Sequence, residues 1–234
     1  MRLDKYISDA MICSRSEADR YIKTGKITVD GKTVKKPDHK VTEKNEICFN
    51  GEKLFYSEFI YIMMNKPQGV ISATDDPKNI EKTVLSLLPE NYLTKGLFPA
   101  GRLDKDTVGL LILTNDGKSA HRLLSPKHHV DKTYYVECDK DFAEKDIEIC
   151  KNGVILDGEL TKPCILTIDC EKKNCGTMVL TEGKYHEIKR ICNHLGKNVT
   201  FLERITFGNL SLDRNLERGM WRHLTPGEVG VLLK

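Results

Sequence analysis

No apolar stretch in this sequence is long enough to cross a bilayer. A transmembrane helix needs ~20 consecutive apolar residues, and polar or charged residues interrupt every hydrophobic run before that length. The segment 1–6 carries charged side chains where a signal peptide has its apolar core, so we expect no secretory signal. We therefore expect a cytoplasmic protein without membrane contact.

The sequence also lacks the motifs that define several metal and nucleotide sites. Its eight cysteines include no C-x-x-C pair, which disfavours a zinc knuckle or a redox pair and predicts reduced thiols. H-E-x-x-H is absent, and no G-x-G-x-x-G follows a predicted strand. Residues 116–119 resemble the end of a phosphate-binding loop, but Ile112 stands where that loop needs its first glycine. We expect neither a structural metal nor a P-loop nucleotide site.

Charge is nearly balanced overall but not locally. Lysine and arginine number 37 against 34 acidic residues, and this net charge of +3 does not by itself indicate a nucleic-acid-binding protein. Between Arg20 and Lys40, however, seven basic residues are opposed only by Asp30 and Asp38, which gives a local charge of +5. Such a run is typical of a solvated surface or of a patch that contacts phosphates.

Residues 1–59 have the pattern of a small helical unit followed by a hairpin. Apolar residues at helical spacing predict a first helix, and Ser14–Glu17 has the capping-box pattern that starts a second one. Alternating apolar residues then lead into Asp30-Gly31, a dipeptide typical of tight hairpin turns. A polar stretch ends this segment, so we predict two domains, at 1–59 and 60–234.

The second domain alternates short β-rich runs with short helical runs. Helices do not follow every strand, so we predict an α+β fold and not a doubly wound parallel sheet. Helical periodicity predicts helices at 118–124, 142–150 and 185–195. Strands are predicted at 61–64, 70–72, 110–113, 133–137, 165–168, 177–180 and 229–232.

Three segments of the second domain combine polar side chains with adjoining apolar strands or helices. They are 65–69 (Asn-Lys-Pro-Gln-Gly), 101–111 (beginning Gly-Arg-Leu-Asp) and 182–190 (Glu-Gly-Lys-Tyr-His-Glu-Ile-Lys-Arg). Taken singly, each has an ordinary interpretation: a turn, a loop entering a buried strand, or the charged start of an amphipathic helix. Their order along the chain is more informative than any one of them.

Together the segments resemble pseudouridine synthases. The shared order is a lysine-proline turn, Gly-Arg-Leu-Asp with Thr and Gly-Leu-Leu after it, a Lys-x-Tyr strand at Lys132–Tyr134, and a basic helix. The match covers nearly all of residues 60–206, and residues 1–59 resemble the αL RNA-binding module. This layout resembles the RsuA family of ribosomal-RNA pseudouridine synthases. The resemblance implies that the catalytic domain has a mixed, largely antiparallel sheet.

The resemblance also implies the chemistry. In such enzymes the uridine C1′–N1 bond breaks, the base turns and it rejoins through C5 without a redox change, so we expect no cofactor. The resemblance places the nucleophilic carboxylate at Asp104 and gives Asp106 a supporting role. A buried carboxylate needs a basic partner to stay ionised, and Lys189 and Arg190 are both candidates. Alignment favours Lys189, and helical spacing agrees, because Arg190 points nearly opposite the apolar face and is free to bind phosphate.

The remaining site residues take their expected roles from the same resemblance. Tyr134 resembles the tyrosine that packs against the target base and is the proposed proton acceptor at C5. Arg102 resembles the arginine that fills the space left by the flipped uridine. The other expected RNA contacts are Lys66 in the first segment, Lys23, Lys26, Lys35 and Lys36 in the first domain, and a basic rim of Lys118, Arg122, Lys127, His128, His129 and Lys132.

The expected target rests on one pair of residues. Tyr185-His186 favours a small-subunit enzyme, because large-subunit relatives typically carry Asn-Arg there. We therefore expect the partner to be 16S ribosomal RNA, either free or in a small-subunit assembly intermediate. Separately, we expect the protein to be a monomer. Three alternatives stay open: a large-subunit target, a non-catalytic RNA-binding or assembly protein of this fold, and a glycosidase or nucleoside hydrolase that uses carboxylates. Intact Asp104, Tyr134 and Lys189 argue against the second, and release of free uracil would support the third.

Overall fold

The computed structural model describes residues 1–42, 44–54, 56–57, 59–78, 80–125 and 130–234. Its contacts divide the chain into two compact units. The first consists of Met1–Ile60 with Pro89–Gly96, and the second of Tyr61–Leu88 with Leu97–Lys234. The sequence assigned the whole of 60–234 to one domain and did not anticipate that a short segment within it belongs to the first unit.

The first unit packs two helices against a small antiparallel sheet. Its elements before residue 60 are α1 (Leu3–Ala10), α2 (Arg15–Lys23), β1 (Ile27–Val29), β2 (Lys32–Thr33), β3 (Ile47–Phe49) and β4 (Glu52–Lys53), with the strands in the order β2-β1-β3-β4. The predicted capping box at the start of α2 is confirmed. The Ser14 hydroxyl accepts the Glu17 N–H, and the Glu17 carboxylate accepts the Ser14 N–H. Leu3, Ile22 and Ile27 are buried in the shared core.

The segment Pro89–Gly96 carries the short helix α3 (Glu90–Leu93) and belongs to the first unit through polar contacts. Lys95 Nζ donates to the Ser8 carbonyl at 3.0 Å, and the Asn91 amide donates to the Ile12 carbonyl. These partners lie 87 and 79 residues apart in the sequence. No local pattern reports such a pairing, which explains why the sequence did not predict it.

The second unit is built on a mixed sheet. The strands of this unit are β5 (Tyr61–Lys66), β6 (Phe98–Ala100), β7 (Val108–Thr114), β8 (Lys132–Cys138), β9 (Ile155–Leu156), β10 (Glu159–Leu160), β11 (Ile165–Ile168), β12 (Cys175–Leu180), β13 (Val199–Phe207), β14 (Leu210–Ser211) and β15 (Trp221–His223). Of these, β9 and β10 form a separate two-stranded sheet. Its helices are a 3₁₀ turn at Val84–Leu87, α4 (Gly117–Leu124), α5 (Glu144–Asn152), α6 (Glu187–His194) and α7 (Pro226–Leu232). Within the described part of the chain, none of the helices could cross a membrane.

The main path of the sheet runs β11-β12-β8-β13-β7-β5-β15. β13 pairs with β7 in parallel, and the other neighbours on this path are antiparallel. This confirms the expected α+β fold with a mixed, largely antiparallel sheet. One apolar cluster joins α5 and α6 to β8, β11 and β12, and a second surrounds β5 and β7 with α4 and α7.

Helices predicted at 118–124, 142–150 and 185–195 are confirmed as α4, α5 and α6 with shifted ends, but the strand predicted at 229–232 is wrong. These residues belong to α7, which starts with a capping box. Thr225 Oγ1 accepts the Glu228 N–H, Glu228 accepts the Thr225 N–H, and Pro226 occupies the first turn. This local start signal overrides the apolar run that followed it in the sequence.

The strand predicted at 70–72 is also wrong, and the central strand β13 was not predicted. Residues 70–72 make only an isolated bridge, between Ile71 and Thr83. β13 was missed because its inward positions are not all apolar: Arg204 is 1% exposed and its Nε donates to the Leu110 carbonyl at 2.7 Å. A buried arginine in a strand breaks the alternation on which strand prediction relies.

Gly109 is required where β7 and β13 pair in parallel. Its φ is +100°, and an added Cβ would overlap the Arg204 carbonyl oxygen and lie 2.9 Å from the Arg204 nitrogen. The backbones approach too closely at this point for a side chain to stand between them. A glycine at this position therefore allows β13 to lie beside β7.

Gly109→Ala is expected to lower the free energy of unfolding by about 2–4 kcal/mol, because it adds both a steric overlap and an unfavourable φ. Gly117→Ala is the matched control, since Gly117 opens α4 with no atom within 4 Å of an added Cβ. That control is expected to be neutral or up to about 1 kcal/mol stabilising. Urea unfolding of the three proteins measures the difference, and equal stabilities would show that the close approach is not rigid.

Candidate active site

A buried lysine fixes the loop that carries Asp104. Lys66 ends β5, and its side chain is fully buried. Its Nζ donates to the carbonyls of Pro67, Asp104, Lys105 and Thr107, at 3.1, 3.0, 3.3 and 2.9 Å. The prediction that Lys66 contacts RNA is therefore wrong, because all its donors face backbone carbonyls inside the protein.

Burial also sets the ionisation of this lysine. Burial lowers the pKa of Lys66 to about 8, although the negative charges of Asp106 and Asp104 act in the opposite direction and raise it. The ammonium form has three hydrogens to donate, and it distributes them among these four backbone carbonyls. Lys66 is thus a positioning residue for the loop.

The segment 69–72 supports the same loop from its other end. Ser72 Oγ donates to the Leu103 carbonyl at 2.8 Å and accepts the Leu103 N–H at 3.0 Å, and the Gly69 N–H donates to the Lys105 carbonyl at 2.8 Å. The backbone on both sides of Asp104 is therefore fixed by hydrogen bonds. Sequence reasoning overlooked Ser72, since a serine after a turn carries no distinctive signal.

The structure brings Asp104 and Lys189 together. Lys189 Nζ lies 3.1 Å from Asp104 Oδ2 and 2.5 Å from Asp106 Oδ1. Partial burial disfavours the charge of this lysine, but its hydrogen bonds to Asp106 and Asp104 outweigh that cost and raise the pKa of Lys189. Burial likewise opposes the charge of Asp106, and the bond to Lys189 lowers its pKa. One cation is therefore shared by two carboxylates.

His186 contacts the other oxygen of Asp104, with 3.5 Å between its Nε2 and Asp104 Oδ1. It precedes α6 in a left-handed conformation, with φ of +48°. Its ring stacks on that of Tyr185, whose centroid is 3.8 Å away, and Tyr185 is 75% exposed. A positive φ is uncommon outside glycine, although asparagine, aspartate and histidine adopt it more often than other residues, and the sequence did not indicate it here.

Asp104 and Lys189 line the same open cleft. Tyr134 from β8 forms part of its wall, and exposed Arg102 also lines it. The cleft also contains the apolar side chains Leu103, Leu180, Ile188 and Leu202 and the acidic side chains Glu182 and Glu187. Within the described ranges, no group of three or more His, Cys, Asp or Glu side chains is arranged to hold a metal ion.

Residues 60–194 match the family described as RNA pseudouridylate synthase, and residues 1–47 match the S4 domain. The chain belongs to the RNA pseudouridylate synthase family. The enzyme is 43% identical to an uncharacterized RNA pseudouridine synthase of Bacillus subtilis, over 99% of this chain and 98% of that one. It is 38% identical to the ribosomal small subunit pseudouridine synthase A of Escherichia coli over the full length of both. The structure is also similar to a crystal structure of a pseudouridylate synthase. The two chains align over 99% of the length of each, with 36% sequence identity and a TM-score of 0.69.

Arg190, expected to be free for phosphate, makes contacts within the second unit of this synthase. Its Nη2 lies 2.5 Å from Asp157 Oδ2, and its Nη1 donates to the Tyr185 carbonyl at 3.4 Å. It does not contact Asp104 in this arrangement, whereas Lys189 does. A phosphate contact by Arg190 stays a prediction, and it would compete with Asp157.

Only part of the expected basic rim is exposed. Lys118 and Arg122 are exposed, and Arg122 donates to the Leu233 carbonyl. Lys132 is buried, which contradicts its place in the rim. Its Nζ lies over the Phe207 ring, and burial lowers its pKa. Lys127, His128 and His129 lie outside the described residues.

The four lysines predicted in the first unit are exposed. Lys26 Nζ lies 5.7 Å from the ring centroid of Tyr21 and 6.0 Å from that of Phe49, and Lys23 is 3.9 Å from Asp19. Lys35 and Lys36 follow the β1–β2 hairpin. Their positions permit contact with an RNA backbone, and that contact stays a prediction.

Lys66→Met is expected to reduce pseudouridine formation by ~10²-fold, because the loop that presents Asp104 would lose the group that orders it. The free energy of unfolding should fall by about 1–3 kcal/mol, since the hydrogen bonds from Lys66 to the Pro67 and Thr107 carbonyls are lost. Lys105→Met is the control: Lys105 Nζ pairs with Glu81 at 2.7 Å on the surface. That change should cost less than about 1 kcal/mol. Normal turnover in Lys66→Met would mean that Lys66 does not position the loop.

Proposed function

We propose that this synthase isomerises uridine to pseudouridine at a specific position in 16S ribosomal RNA, with Asp104 as the nucleophile. The observation that carries the proposal is the 3.1 Å contact between Asp104 and Lys189 in a cleft that also contains Tyr134. Lys189 supplies the positive charge that a carboxylate beside a ribose needs as its partner.

In the proposed reaction, the Asp104 carboxylate assists the departure of the base from C1′, and the electrons of the C1′–N1 bond remain on the base. The base then turns, and C5 forms the new bond to C1′. One proton leaves C5 and one is gained at N1, so substrate and product are isomers and no external oxidant or reductant is consumed. The Tyr134 hydroxyl is the proposed acceptor of the C5 proton. Arg102, exposed beside the cleft, would fill the gap left in the RNA stack.

The small-subunit target is supported by the Escherichia coli relative, whose name states that it acts on the ribosomal small subunit. It is also supported by Tyr185-His186, which in this enzyme contributes a stacked ring pair next to Asp104. The proposal includes action by a monomer on free RNA or on an assembly intermediate, in the cytoplasm. The first domain would supply RNA affinity, since the S4 match falls within it.

Asp104→Asn is expected to lower tritium release from 16S RNA labelled at uridine C5 by at least ~10³-fold, because the change keeps the shape but removes the reacting charge. Asp106→Asn is the matched control. It removes the charge of a side chain two residues away, and the Asp106 side chain is 59% exposed and also contacts Lys189. Its activity should fall by at most ~10²-fold. Turnover of Asp104→Asn within tenfold of wild type would exclude Asp104 as the nucleophile.

The choice of ribosomal subunit is tested separately. Pseudouridines should be mapped across 16S and 23S RNA from cells with and without the gene, and one 16S position should lose its modification. Loss only in 23S RNA would support the large-subunit alternative. No loss in either RNA would favour a non-catalytic role, and release of free uracil in vitro would indicate a hydrolase.

Replacing Lys23, Lys26, Lys35 and Lys36 with alanine is expected to weaken RNA binding and to flatten its salt dependence. For every phosphate that the variant no longer neutralises, the slope of log affinity against log salt should decrease by ~0.9 at a duplex or ~0.7 at a single strand. The control replaces Lys145, Lys151, Lys172 and Lys173, which are exposed in the second unit and change the net charge equally. Equal slopes in both variants would show that the first-domain lysines are only solvated surface.

A further inference from the structure

Two stacked rings beside the cleft take no part in the proposed reaction. The ring centroids of Tyr185 and His186 are 3.8 Å apart, and 18° separates the ring planes. The pair adjoins the carboxylate of Asp104, because His186 Nε2 lies 3.5 Å from Asp104 Oδ1. His186 covers one face of the Tyr185 ring, but Tyr185 as a whole is 75% exposed. Among the tyrosine, phenylalanine and tryptophan residues that the structure describes, the next most exposed is Phe59, at 38%.

A groove continues from the cleft past these rings. It shares Arg102 and Asp104 with the cleft, and Tyr185 lines the groove but not the cleft. The groove therefore leads from the Asp104 carboxylate to the exposed ring of Tyr185. An RNA strand whose target base enters the cleft has to continue along a surface next to it, and the groove is such a surface.

The charges of the groove suit an RNA backbone. Its basic lining residues are Arg102, Lys105 and Lys184. Lys105 Nζ lies 2.7 Å from a carboxylate oxygen of Glu81, and Lys184 Nζ lies 3.3 Å from one of Glu159. Ion pairs at the surface contribute little stability, so phosphates can replace these carboxylates. Proteins that hold single-stranded RNA combine such a basic groove with aromatic rings on which bases stack.

We propose that the exposed face of the Tyr185 ring stacks on the base of the nucleotide next to the target uridine. Because His186 covers the other face, Tyr185 has room for one base. A uridine that flips into the cleft leaves its neighbour without a stacking partner on that side, and the ring replaces that partner. Tyr185 is in this respect a substrate-binding residue that sets the position of the strand, and no covalent bond forms or breaks. The inference rests on the proposed function, because it requires a target uridine at Asp104.

The first test compares substitutions of Tyr185 on a short ribosomal RNA fragment that contains the mapped uridine. Tyr185→Ala should lower kcat/KM for pseudouridine formation about tenfold or more, mainly through KM, because it removes the stacking surface. Tyr185→Phe keeps the ring and should stay within about twofold of wild type. Ile165→Ala is the matched control, since Ile165 is 64% exposed and lies outside both the cleft and the groove. That control should leave KM unchanged.

Fragments that lack one base separate stacking from a structural role of Tyr185. In two such fragments, the nucleotide on the 5′ or the 3′ side of the target keeps its sugar and phosphates but has no base. In one of them, Tyr185→Ala and wild type should differ by less than about twofold, because the ring has lost its partner. If Tyr185 only supported His186 within the protein, the tenfold difference would persist in both fragments. For a fragment that is not turned over, Kd from fluorescence anisotropy gives the same comparison.

Three results would overturn the proposal. The first is a KM of Tyr185→Ala within about twofold of wild type on the intact fragment, since stacking on a ring is worth more than that. The second is a loss in Tyr185→Phe as large as that in Tyr185→Ala, because the ring itself would then not matter. The third is a Tyr185→Ala effect that persists in both fragments lacking a base.

The outcomes also separate this proposal from the proposed function. The fragment comes from whichever ribosomal RNA the mapping identifies. A 23S target would therefore contradict the proposed 16S target and leave the stacking test unaffected. Modification of 16S RNA by Tyr185→Ala with an unchanged KM would overturn the stacking and leave the proposed function intact. A wild-type protein that modifies neither RNA would overturn both.

Discussion

The active-site loop depends on one ammonium group buried among backbone carbonyls. Lys66 Nζ lies within hydrogen-bond distance of carbonyls on both sides of Asp104, and no part of the side chain reaches solvent. Burying a lone charge is costly, and here carbonyl dipoles and two nearby aspartates offset the cost. The same contacts hold the loop in place, because displacing it would leave the buried ammonium without partners.

The cleft concentrates negative charge, and it balances that charge in two different ways. Asp104 and Asp106 lie on either side of Lys189, so a cation separates them. Glu182 and Glu187 each accept a backbone N–H, from Lys162 and Lys184 respectively. The role that we propose for Asp104 needs the first arrangement, since a proton would remove the charge of the carboxylate. The second arrangement suits side chains that only connect segments of backbone.

The sequence could predict whichever features depend on neighbouring residues. The capping box at Ser14, the α6 helix and the three polar segments follow local rules, and the order of those segments carried the resemblance to pseudouridine synthases. Helical spacing also separated Lys189 from Arg190, because residues on adjacent positions of a helix point about 100° apart. The Lys189 side chain does reach Asp104, and that of Arg190 turns to Asp157.

The sequence by itself determined the family, the α+β class and the small set of polar side chains from which the site is built. Only the tertiary structure decided that Lys66 is buried and not an RNA contact, and that Lys132 lies over Phe207. It also decided that β13 accommodates a buried Arg204 beside Gly109. Each of these depends on partners that are distant in sequence or on the degree of burial. Exposure to water, which determines whether a lysine binds phosphate or orders a loop, is set only when the chain packs.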